Sequence, residues 1–326
     1  MGCHAGPGSP WPGADAMMRA VRLSDLSKTF RTGFWGARGH CALDRVSLDV
    51  PQGAVLGYLG PNGAGKTTTF RLLLQLVHPT SGAAEILGRP VGDPAVRHRV
   101  GFLPEGARFY DSCTAEEFLV YVAGLFGYPA AERRQRAALQ LDRVGIGAER
   151  RRRLGTYSRG MLQRVGIAQA LLNDPEVLFL DEPMTGLDPL GRSDVRNLIL
   201  ALRNEGRTVW ISSHVLSEAE AVCSHVAILN RGRLAVAGSI ADLDLDVRGW
   251  ELVVAGVGES QLAACGIADR RVTSIADGRH VIDLPLEQPP ERVVVELARR
   301  GARIVSLNPR HETLEDYFLR RVHEDA

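Results

Sequence analysis

The chain of 326 residues is long enough for one large domain and a smaller second one. Its 39 basic and 38 acidic residues leave a formal net charge of +1, which excludes the global positive field typical of nucleic-acid-binding proteins. No apolar run approaches the roughly 20 residues that a transmembrane helix needs. Five widely spaced cysteines without a CxxC pair argue against a zinc site and a disulfide framework. We therefore expect a protein of the reducing cytoplasm, with any membrane contact confined to a local surface.

The first 18 residues are rich in glycine and proline and contain neither a basic start nor an apolar segment. They are expected to form a disordered tail rather than a signal peptide. Translation from Met1 and translation from Met17 or Met18 are both compatible with this composition. Short β-type stretches then alternate with turns from Ala20 to Val50, and a loop is predicted from Arg31 to His40.

An apolar run of strand length, Gly53 to Leu59, leads into a glycine-rich loop and a helical pattern from Thr68 to Val77. The loop reads GPNGAGKT, which satisfies the phosphate-binding pattern GxxxxGK[ST] in the required order of strand, loop and helix. We expect Lys66 to reach the β- and γ-phosphates of a nucleotide and Thr67 to bind Mg²⁺. The predicted nucleotide-binding residues of this segment are Gly60, Pro61, Asn62, Gly63, Ala64, Gly65, Lys66, Thr67 and Thr68.

Lysine is rare in this chain. Lys28 and Lys66 are the two lysines, and the other residues in the count of 39 are arginines. Because arginine differs from lysine in shape, hydration and hydrogen-bonding geometry, each retained lysine marks a position of chemical interest.

A segment rich in helix formers, Thr114 to Leu172, predicts a helical subdomain. The strand Glu176 to Leu180 then ends in two acids, of which Asp181 is expected to hold Mg²⁺ and Glu182 to polarise the attacking water. A third strand is predicted from Thr208 to Ser212. The alternation of strands and helices predicts an α/β fold of the P-loop NTPase type, with a mainly parallel sheet.

After about Gly238 the sequence contains linkers rich in Asp and Gly and no further phosphate-type loop, which predicts a domain boundary between residues 240 and 248. We assign residues 19–243 to the larger domain and residues 244–326 to a C-terminal accessory domain. The order of elements in the accessory domain suits a ferredoxin-like βαββαβ unit. Its strands are predicted at 251–254, 271–274, 280–284 and 303–307, and its helices at 259–265, 290–300 and 313–322.

Further motifs between residues 19 and 239 follow the order found in the ABC (ATP-binding cassette) ATPases, and the chain resembles that family. Residues 157–161 read YSRGM and resemble the family's signature sequence, usually LSGGQ, although only Ser158 and Gly160 fit. A capping hydroxyl and a bare backbone at a helix N-terminus are what a phosphate clamp needs. The TGLD sequence at 185–188 resembles the family's D-loop.

Three more positions carry the resemblance. His214 follows the third strand, as the family's switch histidine does, which implies a contact with the γ-phosphate. Glu105 stands where many members carry a glutamine that contacts metal and water. Phe30 stands where the family places an aromatic ring that stacks on adenine, with Phe34 and Trp35 as alternatives.

The resemblance implies an ATPase that uses ATP and Mg²⁺, with Glu182, His214 and Lys66 as catalytic residues. It also implies that Thr67, Glu105 and Asp181 bind the metal. Two subunits, as a homodimer or pseudo-dimer, would sandwich two ATP molecules between the phosphate loop of one and Ser158 and Gly160 of the other.

The YSRGM form, Glu105 and the C-terminal sequence TLEDYFL resemble ATPase subunits of the exporter (ABC-2) type, which are encoded apart from their permease. The expected partner is therefore a membrane permease, contacted near Glu105 and the segment Thr114 to Leu141, and no nucleic-acid partner is expected. The expected location is the cytoplasm, peripheral on the inner face of the cell membrane.

Two other function classes share some of these features. A soluble ABC ATPase acting on nucleic acid or ribosomes is disfavoured because the chain has one cassette, no sustained heptads and no cysteine pairs. A nucleotide sensor without hydrolysis is disfavoured because Lys66, Asp181, Glu182 and His214 occur together. The transported substrate is not specified by the sequence.

Overall fold

The computed structural model describes residues 18–32, 38–243, 245–264, 267, 272–317 and 320. The chain divides into two compact units, one up to Leu243 and the other from residue 244 onward. The predicted disordered tail, apart from Met18, lies outside the described residues, as do Phe34 and Trp35. Within the described residues no helix is both long and apolar enough to cross a membrane.

The first unit contains a four-stranded antiparallel sheet in the order β2-β1-β4-β5. Its strands are β1 (Arg19–Thr32), β2 (Arg38–Pro51), β4 (Ser81–Ile86) and β5 (Arg89–Pro90). The strands are longer than the predicted short stretches, because pairing of β1 with β2 continues as far as Thr32 and Arg38. Backbone pairing needs no apolar alternation in the side chains, so the sequence pattern did not reveal it. Residues 33–37, in the middle of the predicted loop from Arg31 to His40, lie outside the described residues.

The central sheet of this unit has six strands in the order β10-β9-β3-β8-β7-β6. Its strands are β3 (Val55–Leu59), β6 (Val100–Leu103), β7 (Val177–Asp181), β8 (Thr208–Ser213), β9 (His225–Asn230) and β10 (Arg233–Ser239). The first five of these pair in parallel, and β10 pairs antiparallel with β9. Every residue of β3, β7 and β8 is buried, as expected for strands covered on both faces.

Helices surround this sheet. They are α1 (Lys66–Leu73), α2 (Pro94–Arg97), α3 (Ala115–Leu125), α4 (Ala130–Arg143), α5 (Arg159–Ala170), α6 (Pro189–Asn204) and α7 (Leu216–Glu220). The segment predicted to be helical holds α3, α4 and α5. Helix α1 ends earlier than the predicted Val77 because the chain turns at Gln75, whose φ of 57° is left-handed.

Aromatic side chains fix α1 against the sheet. The ring of Phe70 in α1 lies 5.4 Å from that of Phe179 in β7 and 5.9 Å from that of Trp210 in β8. All three side chains are fully buried, and each such burial stabilises the fold by roughly 1.5–3 kcal/mol or more. The start of α1 is therefore held at the carboxyl ends of β3 and β7.

The second unit is a four-stranded antiparallel sheet in the order β12-β13-β11-β14. Its elements are β11 (Val247–Ala255), α8 (Glu259–Ala264), β12 (Val272–Ile275), β13 (Arg279–Pro285), α9 (Pro290–Arg299) and β14 (Arg303–His311). They follow one another as βαββαβ around a core that includes Leu252, Ile282 and Leu297. Of the last predicted helix, residues 314–317 and 320 are helical and the remainder lies outside the described residues.

Candidate nucleotide-binding and hydrolytic site

The glycine-rich loop joins the end of β3 to the start of α1. Gly60 has a φ of 149°, and a Cβ there would lie 2.2 Å from the carbonyl oxygen of Leu229. Gly65 has a φ of 115°, and its Cβ would lie 2.5 Å from the carbonyl oxygen of Ala42. A side chain at either position is excluded by backbone, so the loop can pack closely only with glycine there.

A cavity of about 330 Å³ lies beside this loop. It is lined by Phe30, His40, Ala42, Asn62, Gly63, Ala64, Gly65, Lys66, Thr67, Thr68, Glu105 and Glu182. The structure thus brings Phe30, Glu105 and Glu182 to one cavity with the phosphate loop. Gly60 and Pro61 do not line the cavity. They form the side of the loop whose carbonyl groups accept hydrogen bonds from Lys66.

Lys66 is a buried cation at the base of the cavity, with 6% of its surface exposed. Its Nζ donates to the carbonyl oxygen of Gly60 at 2.7 Å and lies 3.5 Å from Oε1 of Glu182. A buried ammonium is costly unless it is paired, and here a carboxylate and loop carbonyls pair with it. The ammonium is therefore held where phosphate oxygens bound to the loop would meet it.

Asp181 ends β7 and is 1% exposed. The hydroxyl of Ser212, in the neighbouring β8, donates to Oδ1 of Asp181 at 2.5 Å and accepts from the backbone N–H of Glu182 at 2.9 Å. Burial raises the pKa of Asp181, and hydrogen bonds from Ser212 and Thr67 partly offset that rise. Ser212 therefore fixes the carboxylate of Asp181 and the backbone of Glu182.

The oxygen ligands near Asp181 fit Mg²⁺. Thr67 hydrogen-bonds to Asp181, and Glu105 lines the same cavity as Thr67. Among the described residues, no group of three or more His, Cys, Asp or Glu side chains is arranged to hold a metal ion by itself. Proteins commonly bind Mg²⁺ through one or two carboxylates completed by phosphate oxygens and water, and this donor set suits that arrangement.

Glu182 is held from several sides. Its Oε2 accepts from the hydroxyl of Thr185 at 2.9 Å and lies 2.8 Å from Nδ1 of His214, while its Oε1 faces Lys66. The backbone of Glu182 has a left-handed φ of 50°, an uncommon conformation for a residue with a side chain. This carboxylate is 7% exposed and lines the cavity, so it can orient and polarise a water beside a bound phosphate.

Ser158 and Gly160 lie apart from this cavity. Ser158 caps α5, its hydroxyl accepting from the backbone N–H of Met161 at 3.3 Å. Gly160 lies in the first turn of α5, near the Leu187 side chain. Neither residue lines the cavity of the same chain.

Sequence reasoning missed four residues of the site. His40 and Ala42 line the cavity, and His40 pairs directly with Phe30 across the β1–β2 hairpin. Ser212 ends the predicted third strand and Thr185 begins the TGLD sequence, but the sequence pattern assigns neither residue a role. The hydroxyl groups of Ser212 and Thr185 could have been recognised from the sequence, because both residues lie close to Asp181, Glu182 or His214 in predicted motifs. His40 can be assigned to the site only when the pairing of β1 with β2 is known.

A phosphate loop opening a helix, with two adjacent acids at the end of a buried parallel strand, defines a P-loop nucleotide-binding protein. Residues 43–185 match the ABC transporter family. The chain is 42% identical over 306 residues to an ABC transporter ATP-binding protein of Synechocystis sp., covering 93% of this chain and 85% of the relative. The chain belongs to the ATP-binding proteins of ABC transporters.

Two further relatives carry transport names. The daunorubicin/doxorubicin resistance ATP-binding protein DrrA of Streptomyces peucetius is 40% identical over 69% of this chain and 67% of DrrA. The bacitracin transport ATP-binding protein BcrA of Enterococcus faecalis is 34% identical over 85% of this chain and 90% of BcrA.

Solved structures agree with this assignment. The dimeric ATP-binding cassette MJ0796, in a post-hydrolysis state with ADP and Pi, matches 68% of this chain and 98% of its own, with a TM-score of 0.61 and 26% identity. CbiO1 from Clostridium perfringens matches 68% of this chain and 88% of its own, with a TM-score of 0.60 and 27% identity. The family resemblance and the predicted α/β fold are confirmed, and the chain is an ABC transporter subunit that binds and hydrolyses ATP.

Proposed function

We propose that two copies of this chain, or one copy and a similar subunit, bind two Mg-ATP molecules and drive substrate export through a separate membrane permease. The observation that carries this proposal is the cavity that joins the phosphate loop to Glu182. The drug-resistance and bacitracin-transport names of the relatives support export. The subunit would act in the cytoplasm, bound peripherally to the inner face of the cell membrane.

In this proposal the γ-phosphate lies against Lys66 and His214, and Glu182 orients the attacking water. Glu182 suits this role because Thr185 and His214 hold one of its oxygens and Lys66 faces the other. A fixed carboxylate places the water for in-line attack without reorganising during the reaction. Thr67, Asp181 and Glu105 would hold Mg²⁺, which when bound offsets the negative charge of the phosphates.

Ser158 and Gly160 complete the site from the opposite subunit. Their position outside the cavity of their own chain supports a composite site, because a residue that never reaches its own nucleotide is free to contact the one held by a partner. The N-terminus of α5 carries positive backbone partial charge, which favours a phosphate oxygen there.

The permease would dock near Glu105 and α3. Four large apolar or aromatic side chains are exposed around this region: Tyr110 (68%), Tyr121 (60%), Leu125 (69%) and Leu139 (62%). Exposed apolar groups are often sites of protein contact, which supports a partner at this surface.

The decisive variant is Glu182→Gln. Loss of the general base should slow ATP turnover by about 100-fold or more while ATP binding persists, so the protein should form a stable dimer under Mg-ATP. Turnover, and mass by light scattering, measure the two effects. The exposed Glu287→Gln is the control and should behave as the unmodified chain.

The same variant identifies the partner. Glu182→Gln, tagged and purified from its host under ATP, should recover a multi-pass membrane protein in stoichiometric amount. Recovery of ribosomes or nucleic acid would favour the soluble ABC ATPase class instead. Unchanged ATP turnover in Glu182→Gln would contradict the catalytic assignment.

A further inference from the structure

Lys28 is the one lysine of the chain that does not belong to the phosphate loop. Its Nζ donates to the carbonyl oxygen of His78 at 2.6 Å and lies 5.0 Å from the centroid of the Phe30 ring. An ammonium within about 6 Å of an aromatic centroid is attracted to the π-face of the ring. One side chain thus contacts both the ring that lines the nucleotide cavity and the chain that follows α1.

The backbone around Lys28 is tied to the same turn. The N–H of Thr29 donates to the hydroxyl of Thr80 at 2.9 Å, and the N–H of Thr80 donates to the carbonyl oxygen of Ser27 at 2.8 Å. Helix α1 starts at Lys66 in the phosphate loop and leads into this turn. These hydrogen bonds hold β1 against the turn that follows α1, and α1 begins in the phosphate loop. The position of the Phe30 ring on β1 is therefore fixed relative to the phosphate loop.

The Phe30 ring is shared by the Lys28 ammonium and the cavity. Phe30 lines the cavity, whereas Lys28 is not among its lining residues. Phe30 is only partly buried, so packing alone leaves its ring some rotational freedom. A cation over the ring restricts that freedom, and because Lys28 does not line the cavity it does not take the space of a flat base. Restricting a binding group beforehand reduces the entropy that is lost when the ligand binds.

We propose that Lys28 is a positioning residue that holds the Phe30 ring as the platform for the nucleotide base, at a set distance from the phosphate loop. This inference rests on the proposed role of Phe30 in contacting the base. Lysine suits the position because its compact ammonium can donate to the His78 carbonyl and still face the ring.

The test compares two ligands on the full chain by titration calorimetry in the presence of Mg²⁺. ATP has a base, whereas inorganic tripolyphosphate presents phosphate alone. Lys28→Met should raise the Kd for ATP about threefold, which is the effect expected of one exposed cation–π contact, and should leave the Kd for tripolyphosphate unchanged. Phe30→Ala should weaken ATP binding about fivefold or more, again without affecting tripolyphosphate.

A double-mutant cycle gives the second readout. In the Phe30→Ala background, Lys28→Met should cause no further loss of ATP affinity, because the ring through which Lys28 acts is gone. Lys28→Arg keeps the charge but replaces the compact ammonium with a planar guanidinium, so it should bind ATP more tightly than Lys28→Met and less tightly than the unmodified chain. Lys28→Gln keeps a donor for His78 but removes the charge, and should match Lys28→Met. It also provides the measurement if Lys28→Met folds poorly.

The outcomes separate this inference from the function on which it rests. If Phe30→Ala leaves ATP affinity unchanged, the base-site assignment fails and the role of Lys28 fails with it. If Phe30→Ala weakens ATP binding but Lys28→Met and Lys28→Gln do not, the inference about Lys28 alone is overturned. Equal loss of ATP and tripolyphosphate affinity in Lys28→Met would also overturn it, since Lys28 would then act on the phosphate loop.

Discussion

Two adjacent acids at the end of β7 experience different surroundings. Asp181 is packed against the Ser212 hydroxyl and is almost fully removed from solvent, and burial raises its pKa. Glu182 faces a lysine, a threonine hydroxyl and a histidine. Two residues adjacent in sequence thus have different environments, which are created by groups from distant parts of the chain.

Asp181→Asn should raise the melting temperature of the nucleotide-free chain at neutral pH by a few degrees. The amide keeps the shape and acceptor oxygen of the aspartate but removes a buried charge whose ionisation opposes folding. Since burial raises the pKa of Asp181, the cost is fully present above that pKa and vanishes as pH falls toward the ordinary value of 3.8. The advantage of the variant should therefore shrink in a melting series as pH is lowered from neutral toward 3.8.

The melting experiments include a control variant and a result that would contradict the prediction. Exposed Asp142→Asn should leave the melting temperature within a degree or so of the unmodified chain, because a solvated carboxylate gains little from neutralisation. Mg-ATP should stabilise the unmodified chain and should stabilise Asp181→Asn less. A lower melting temperature for nucleotide-free Asp181→Asn would show that the charge itself supports the fold.

At the scale of elements, one side of the phosphate loop packs closely against neighbouring strands and the other side lines the cavity. Gly60 and Gly65 pack against the backbone of β9 and β2, whereas a Cβ on Gly63 would meet no atom within 4 Å. Gly63 also lines the cavity. One loop therefore uses glycine for two different physical reasons.

Gly65→Ala and Gly63→Ala should separate these two reasons. Gly65→Ala places a Cβ 2.5 Å from the Ala42 carbonyl oxygen and should destabilise the chain by on the order of 3 kcal/mol, lowering its melting temperature. Gly63→Ala meets only the smaller strain of its left-handed φ of 81° and should keep most of the stability. Its extra methyl group faces the phosphate space, so it should weaken ATP binding in calorimetry. Equal melting temperatures for the two variants would contradict this account.

The elements differ in how far the sequence predicted them. The strands at the centre of the first unit were located to within about two residues because complete burial makes them continuous apolar runs. The β1–β2 hairpin was predicted too short, since its outer half is stabilised by backbone pairing and carries no apolar pattern. Helix α1 was predicted to begin at Thr68, but it begins at Lys66. The sequence pattern assigned Lys66 and Thr67 to the glycine-rich loop, so it did not indicate that they form the first turn of the helix.

At the scale of the whole molecule, each unit has its own core. In the second unit the buried carboxylate of Glu312 joins the start of β11 to the C-terminal segment. It accepts from the backbone N–H of Asp246 at 3.1 Å, from Arg248 at 3.0 Å and from Arg320 at 2.5 Å. Burial alone would raise the pKa of Glu312, but these hydrogen bonds outweigh it and hold that pKa below its ordinary value.

Glu312→Gln should destabilise the second unit and leave the first unchanged. Charge-assisted hydrogen bonds of this kind contribute about 2 kcal/mol, so amide hydrogen exchange in β11 and β14 should become faster by about tenfold or more. The stabilisation is present above the ordinary glutamate pKa of 4.5 and is lost as pH falls through the lowered value. Exchange should remain unchanged in β7 and β8, and exposed Glu315→Gln should have no effect. Uniform acceleration across both units would contradict this local role.

The sequence by itself determined the phosphate loop, the buried acidic strand end and the α/β class. These features depend on local rules: glycine where backbone conformation demands it, continuous apolar residues where a strand is buried, and acids at its end. Only the tertiary structure decided that His40 lies beside Phe30, that Ser212 holds the Asp181 carboxylate and that Lys28 reaches the turn after α1. Those contacts join residues from separate strands and turns, and their geometry follows from register and packing, which no single stretch of sequence contains.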